Sequence, residues 1–182
     1  MDKRCLGCIA ALLLLLPLAA GGQSALAITS TPARVDGVFT DKEYSLVTEE
    51  AGMKLGLTWT ADVLYIGLSA PTTGWAAVGV GSMRMDAAII YMGYAVGQES
   101  QMKVQKGAGH RHADVDAGVP RQYAVKEAGG RTVLELALDA SSAVAKNQAV
   151  LQLIIAMGGA DSFSSLHRAR SGVSVDLAKA GQ

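Results

Sequence analysis

The chain has 182 residues, with 16 Lys or Arg against 16 Asp or Glu and a formal net charge of zero. That length suits one domain with an adequate core. The balanced charge excludes the basic field that attracts nucleic acid and the polybasic patch that marks a membrane-surface protein.

Lys3 and Arg4 precede an apolar run from Leu6 to Ala20, and Ala25-Leu26-Ala27 follows. Charged start, apolar centre and small-x-small end form the order of a secretory signal. Cleavage is expected after Ala27, giving a signal over 1–27 and one mature domain over 28–182, periplasmic or extracellular. The run contains Pro17 and falls short of the ~20 apolar residues of a membrane span. No later stretch is long enough, so no transmembrane anchor is expected once the signal is removed. Cys5 and Cys8 both fall in the signal, leaving the mature chain without a disulfide or a cysteine nucleophile. Cys5-Leu6-Gly7-Cys8 is followed by Ile9 and not by His, so it is no c-type haem attachment.

The mature chain carries strand periodicity. Lys54–Thr60 alternates, with Leu55, Leu57 and Trp59 on one face; Ala61-Asp62 turns into a second strand over Val63–Ser69. Pro71-Thr72-Thr73-Gly74 is a turn, and Trp75–Gly81 is a third strand. Ala88–Val96 is a longer apolar run whose β-branched and aromatic content predicts a strand buried on both faces. Gln105–Pro120 is polar and Gly-rich and reads as a long loop. Gln122–Lys126 and Arg131–Leu138 form a hairpin across Ala128-Gly129-Gly130. Val150–Met157 and Val173–Leu177 are the last strands, and Ala140–Lys146 is the one plausible helix. Many short strands separated by turn signals predict an all-β sandwich or barrel.

The residues themselves leave several chemistries open. His110 and His112 form a His-x-His pair in the polar segment, suited to copper or zinc, with Asp114 and Asp116 nearby. Met83 and Met85 form a Met-x-Met pair suited to Cu(I). Trp59, Trp75, Tyr65, Tyr91 and Tyr94 are candidates for a sugar platform, with Trp75 placed best to line a pocket. The serine-elbow, phosphate-loop and zinc-protease motifs are absent, so no catalytic residue is assigned and an enzyme is not expected.

In order and spacing, several motifs resemble the DOMON domain family across nearly all of the mature chain. They are Gly74-Trp75-Ala76-Ala77-Val78-Gly79, then Met85-Asp86-Ala87-Ala88 leading into Ile89-Ile90-Tyr91-Met92-Gly93, then Ile155-Ala156-Met157-Gly158, His167 and Arg170-Ser171-Gly172. Val35-Asp36-Gly37 and Tyr44 fit the family's start. Ala87 departs from the pattern, standing where Gly is usual, and Ala88-Ile89 stands where many members have Ala-Asp. The resemblance implies an immunoglobulin-like two-sheet β-sandwich enclosing a ligand pocket at one end, and a ligand that is haem b or a sugar. In the haem-binding branch, similar to the cytochrome domain of cellobiose dehydrogenase, the axial ligands carry over to Met85 and His167. Met83, His110 and His112 remain alternative iron ligands. Trp75 would line the pocket, and Arg168 and Arg170 would pair with the haem propionates. The expectation is an exported b-type cytochrome for electron transfer or redox sensing, working with a separate exported or membrane redox protein. A sugar or small-ligand module on the same fold and a copper- or zinc-binding protein are the alternatives.

Overall fold

Alternation between large apolar and small or polar residues folds this chain into two antiparallel sheets, described in a computed structural model over residues 25–178. Residues 1–24 of the expected signal lie outside the described residues; its last three lie inside. Leu26 among them is only 1% exposed. It forms a parallel bridge to Leu177, and its N–H donates to the Asp176 carbonyl at 2.8 Å.

The first sheet has five strands. They are β1 (Leu46–Glu50), β2 (Met53–Trp59), β3 (Val63–Ala70), β8 (Gln122–Ala128) and β9 (Arg131–Asp139), in the order β1-β2-β3-β9-β8. The second has six: β4 (Ala76–Val80), β5 (Ile89–Val96), β6 (Glu99–Ala108), β7 (Arg111–Asp114), β10 (Val150–Gly158) and β11 (His167–Asp176), in the order β11-β10-β4-β5-β6-β7. The β8–β9 hairpin turns on Gly129 and Gly130, both at positive φ, as a two-residue type I′ turn requires. The expected helix is one turn, α1 (Ala140–Ala143).

Leu55, Leu57, Leu64, Ile66, Leu68, Leu134 and Leu136 from the first sheet meet Val78, Val80, Tyr91, Leu151, Leu153 and Ile155 from the second. The space between the sheets is therefore filled by side chains. The two-sheet sandwich is as the sequence implies, but the pocket lies on the outer face of the six-stranded sheet and not between the layers.

Gln105–Pro120 also differs from expectation. Its first part is the edge hairpin of β6 and β7, with Gly109 at positive φ in the turn. Strands at a sheet edge keep polar residues on their open side, which hides their alternation. β11 likewise begins at His167, ahead of the expected Val173, because its first residues are exposed.

The six-stranded sheet curls. The Met83 carbonyl lies 2.7 Å from where a Cβ would stand at Gly172 in β11. A Cβ at Gly107 in β6 would overlap the Met85 carbonyl. β11 and β6 are four strand intervals apart, ~19 Å in a flat sheet, whereas two residues reach only about 7 Å. The outer face must therefore be concave, and the β4–β5 connection spans one end of the trough.

Candidate functional site

The floor of that trough is made of small residues. Ala77 pairs with Ala156 and Gly79 with Ile154 across β4 and β10, while Ile90 and Met92 of β5 flank them. A Cβ at Gly79 would press on Ile154 and Ala88. Above this floor lies a cleft of about 350 Å³, within the roughly 300–1,000 Å³ of small-molecule sites. Trp75, Met85, Gln105 and Arg170 line it, together with His110, His112 and His167, all three histidines of the chain. A neighbouring hollow shares Met85, His110, Ile154 and Arg170 and adds Met83 and Arg84.

Met85 is placed by backbone contacts. The Ala87 N–H donates to the Gly107 carbonyl at 3.1 Å, the Gly107 N–H to the Ala88 carbonyl at 3.0 Å, and the Gly109 N–H to Asp86 Oδ1 at 2.8 Å. Gly107, which reads as a loop signal, is needed so that Met85 can lie against β6. Ala87 has φ +66, the left-handed region where a Cβ is strained. That accounts for the glycine usual at this place in the family pattern. Met83 packs on Gly172 at the β11 side and lines only the neighbouring hollow.

His167 is placed by a β-bulge. Met157 pairs with Ala169, but Gly158 pairs with His167, so Arg168 is skipped. The bulge puts His167 in line with Ile154 and Ala156 on the outer face, where strict alternation would turn it inward. The loop before it is pinned to the Gly-Trp motif. The Trp75 indole lies over Gly158, and its N–H donates to Ser165 Oγ at 2.8 Å. Thr72 Oγ1 donates to the Gly158 carbonyl at 2.7 Å, and Thr132 Oγ1 is shared between the Thr72 and Gly74 carbonyls. Phe163 of the same loop packs on Tyr94 at 4.7 Å between ring centroids, with Lys103 Nζ 5.5 Å from its ring. Leu166, at the rim, is 86% exposed.

The structure thus brings Met85, His167, Trp75, Arg170, His110 and His112 to one cleft. Arg168 is different: its side chain lies over Gly159 and does not line the cleft, because the bulge turns this position away. Trp75 and Tyr91 are buried, so they form no exposed sugar platform. Among the described residues no three His, Cys, Asp or Glu side chains converge. None of these is a helix long and apolar enough to cross a membrane.

Sequence reasoning missed Gln105. It is buried, its Nε2 donates to Asp114 Oδ1 at 2.8 Å, and its Oε1 has no partner. Asp114 Oδ2 accepts from Lys103 Nζ at 2.7 Å. The hydrogen bonds from Lys103 and Gln105 hold the exposed Asp114 carboxyl below its usual range. Only the alternation of Lys103, Gln105 and Gly107 along an unrecognised strand could have pointed to it.

No family model matches the chain, and no curated protein matches it. Among solved structures it is similar to the cytochrome b domain of pyranose dehydrogenase from Coprinopsis cinerea, with 9% identity and a TM-score of 0.56 over 71% of this chain and 80% of that one. It is also similar to the cytochrome domain of Myriococcum thermophilum cellobiose dehydrogenase, with 12% identity and a TM-score of 0.53 over 71% and 76%. A family 9 carbohydrate-binding module from Caldicellulosiruptor kristjanssonii superposes with a TM-score of 0.45 at 13% identity over 86% and 96%, too distant to argue from. The chain shares the β-sandwich fold of these cytochrome domains.

Proposed function

We propose that the protein is an exported b-type cytochrome that holds one haem non-covalently in the cleft on the six-stranded sheet. One observation carries this: Met85 and His167, far apart in the sequence, line the same cleft over a floor of Ala77, Gly79 and Ala156. The cleft fits the group. Its floor is apolar and built of small residues, a bulkier side chain there would fill it, and its donors are one thioether and imidazoles. Met85 would supply the soft neutral ligand and His167 the imidazole, a pairing that raises the potential and suits electron transfer. Arg170 would meet a propionate with its planar fork of donors. The bound haem supplies a one-electron couple. The chain's own residues hold it, orient it through the Trp75–Ser165 pin and keep water from its floor. The partner is a separate exported or membrane redox protein.

The visible spectrum of the exported chain, made with haem available, tests this before and after dithionite. A Soret band that sharpens and shifts on reduction is expected, with low-spin α and β bands. Met85→Ala and His167→Ala should each abolish the low-spin pattern. A colourless protein unchanged by added haemin overturns the proposal.

A further inference from the structure

The wall of the cleft made by the β6–β7 hairpin carries a donor set that the haem assignment does not use. Gln105 is 5% exposed. Its amide is locked: Nε2 must face the Asp114 carboxylate, which Lys103 holds from the other side. The amide oxygen is thereby turned away from Asp114 and left buried without a donor. A buried acceptor without a partner costs roughly 1–3 kcal/mol, so its persistence calls for a cation or a donor. His112 stands beside it on the same face, since Gly107 pairs with His112 and Gln105 with Asp114. Such diagonal cross-strand neighbours lie roughly 7–8 Å apart, within joint reach of long side chains. His110, from the hairpin turn, lines the same cleft.

We propose that His110, His112 and Oε1 of Gln105 form a binding site for a divalent transition-metal cation, copper(II) or zinc(II). Imidazole nitrogen is the donor that copper(II) and zinc(II) take readily, the amide oxygen is a weaker one that a mixed N,O set admits, and water completes the coordination from the open side. Asp114 does not ligate. It fixes the Gln105 amide so that oxygen and not nitrogen faces the cation, the supporting role that carboxylates take behind metal ligands. The site uses neither Met85 nor His167, but it opens into the cleft proposed for the haem, so it is read in the haem-free chain.

Titration of the exported chain with zinc(II) alone by calorimetry, and with copper(II) alone by electron paramagnetic resonance, tests this. One ion per chain is expected, with nitrogen hyperfine structure for copper. His110→Ala and His112→Ala, both at exposed positions, should each weaken binding at least about tenfold. Gln105→Leu should weaken it with no loss of melting temperature, and Gln105→Glu should tighten it. Met85→Ala and His167→Ala should leave it unchanged while removing the haem spectrum, which separates the two sites. Absence of binding, or an affinity that His112→Ala leaves intact, overturns the proposal.

Discussion

On the outer face of the five-stranded sheet, Gly56 and Gly67 are paired neighbours in β2 and β3. The Tyr44 ring lies directly over both, and its hydroxyl donates to Glu135 Oε1 at 2.7 Å. Glu135 is fully buried and accepts the backbone N–H groups of Asp36 and Gly37 at 2.8 and 2.7 Å through its other oxygen. On the outer face of the six-stranded sheet, Ala77, Gly79 and Ala156 form a comparable track, with Trp75 and Phe163 packed at its margin. Both tracks exist because a residue with little or no side chain lets something flat approach the sheet. One is covered by the chain's own N-terminal segment and serves stability. The other is bordered by Met85 and by the loop before His167, and is where the haem is proposed to sit. An outer-face glycine is thus ambiguous until its cover is known.

The contrast can be broken from either side. The largest expected effect is in Glu135→Ala, which strands the Tyr44 hydroxyl, the buried Gly37 N–H and the partly buried Asp36 N–H and should destabilise by about 3 kcal/mol or more in urea unfolding. Gly67→Ala, whose Cβ would overlap the Tyr44 hydroxyl, should cost about 2 kcal/mol by overpacking. Ala156→Leu fills the other track, and there the outcome should be reversed: stability within about 1 kcal/mol of the parent, with haemin no longer giving a Soret band. Equal loss of stability in both variants would sink the distinction.

Glu135 also sets a pH dependence. Burial raises its folded carboxyl above the ordinary value, outweighing the lowering by its three hydrogen bonds. Its contribution is therefore full below the unfolded value and is lost as pH rises through the raised folded one. Glu135→Gln can keep the geometry, with the amide oxygen accepting both N–H groups and the Tyr44 hydroxyl accepting from the amide. The stability of the parent relative to this variant should fall as pH rises above the ordinary carboxylate range. The smallest effect is in Ala87→Gly, which relieves a left-handed residue and should stabilise by about 1 kcal/mol, read as a higher melting temperature.

Leu26 bears on export. Cleavage after Ala27 would remove a buried core side chain and its bridge to Leu177. Processing upstream of Leu26 would keep both. N-terminal sequencing of the exported protein should find Leu26 retained.

The hairpins β2–β3 and β8–β9 were legible because alternation and a Gly-Gly turn each specify one arrangement. Met85 and His167 were legible only through the order of several weak motifs. Other features were hidden for physical reasons. The edge strands β6 and β7 carry polar residues that mimic a loop, and the bulge that re-aims His167 leaves no mark in composition. Glu135 alternates with Leu134 and Leu136 as a solvent-facing residue would. Its burial depends on Tyr44, Asp36 and Gly37, more than 90 positions away. The curl of the sheet, which makes the cleft, arises from glycines at 107 and 172 whose partners are backbone carbonyls.

The bridge between Leu26 and Leu177 moors both ends of the folded unit at one pole. There Val150 pairs with Asp176. Gly158 and His167 stand at the other end of the same strand pair, about 27 Å away for a strand of this length. Anything joined to the unit at either end is attached behind it. The cleft, on the outer face towards the other end of that strand pair, then stays clear of the attachment, as a harbour mouth stays clear of the mooring.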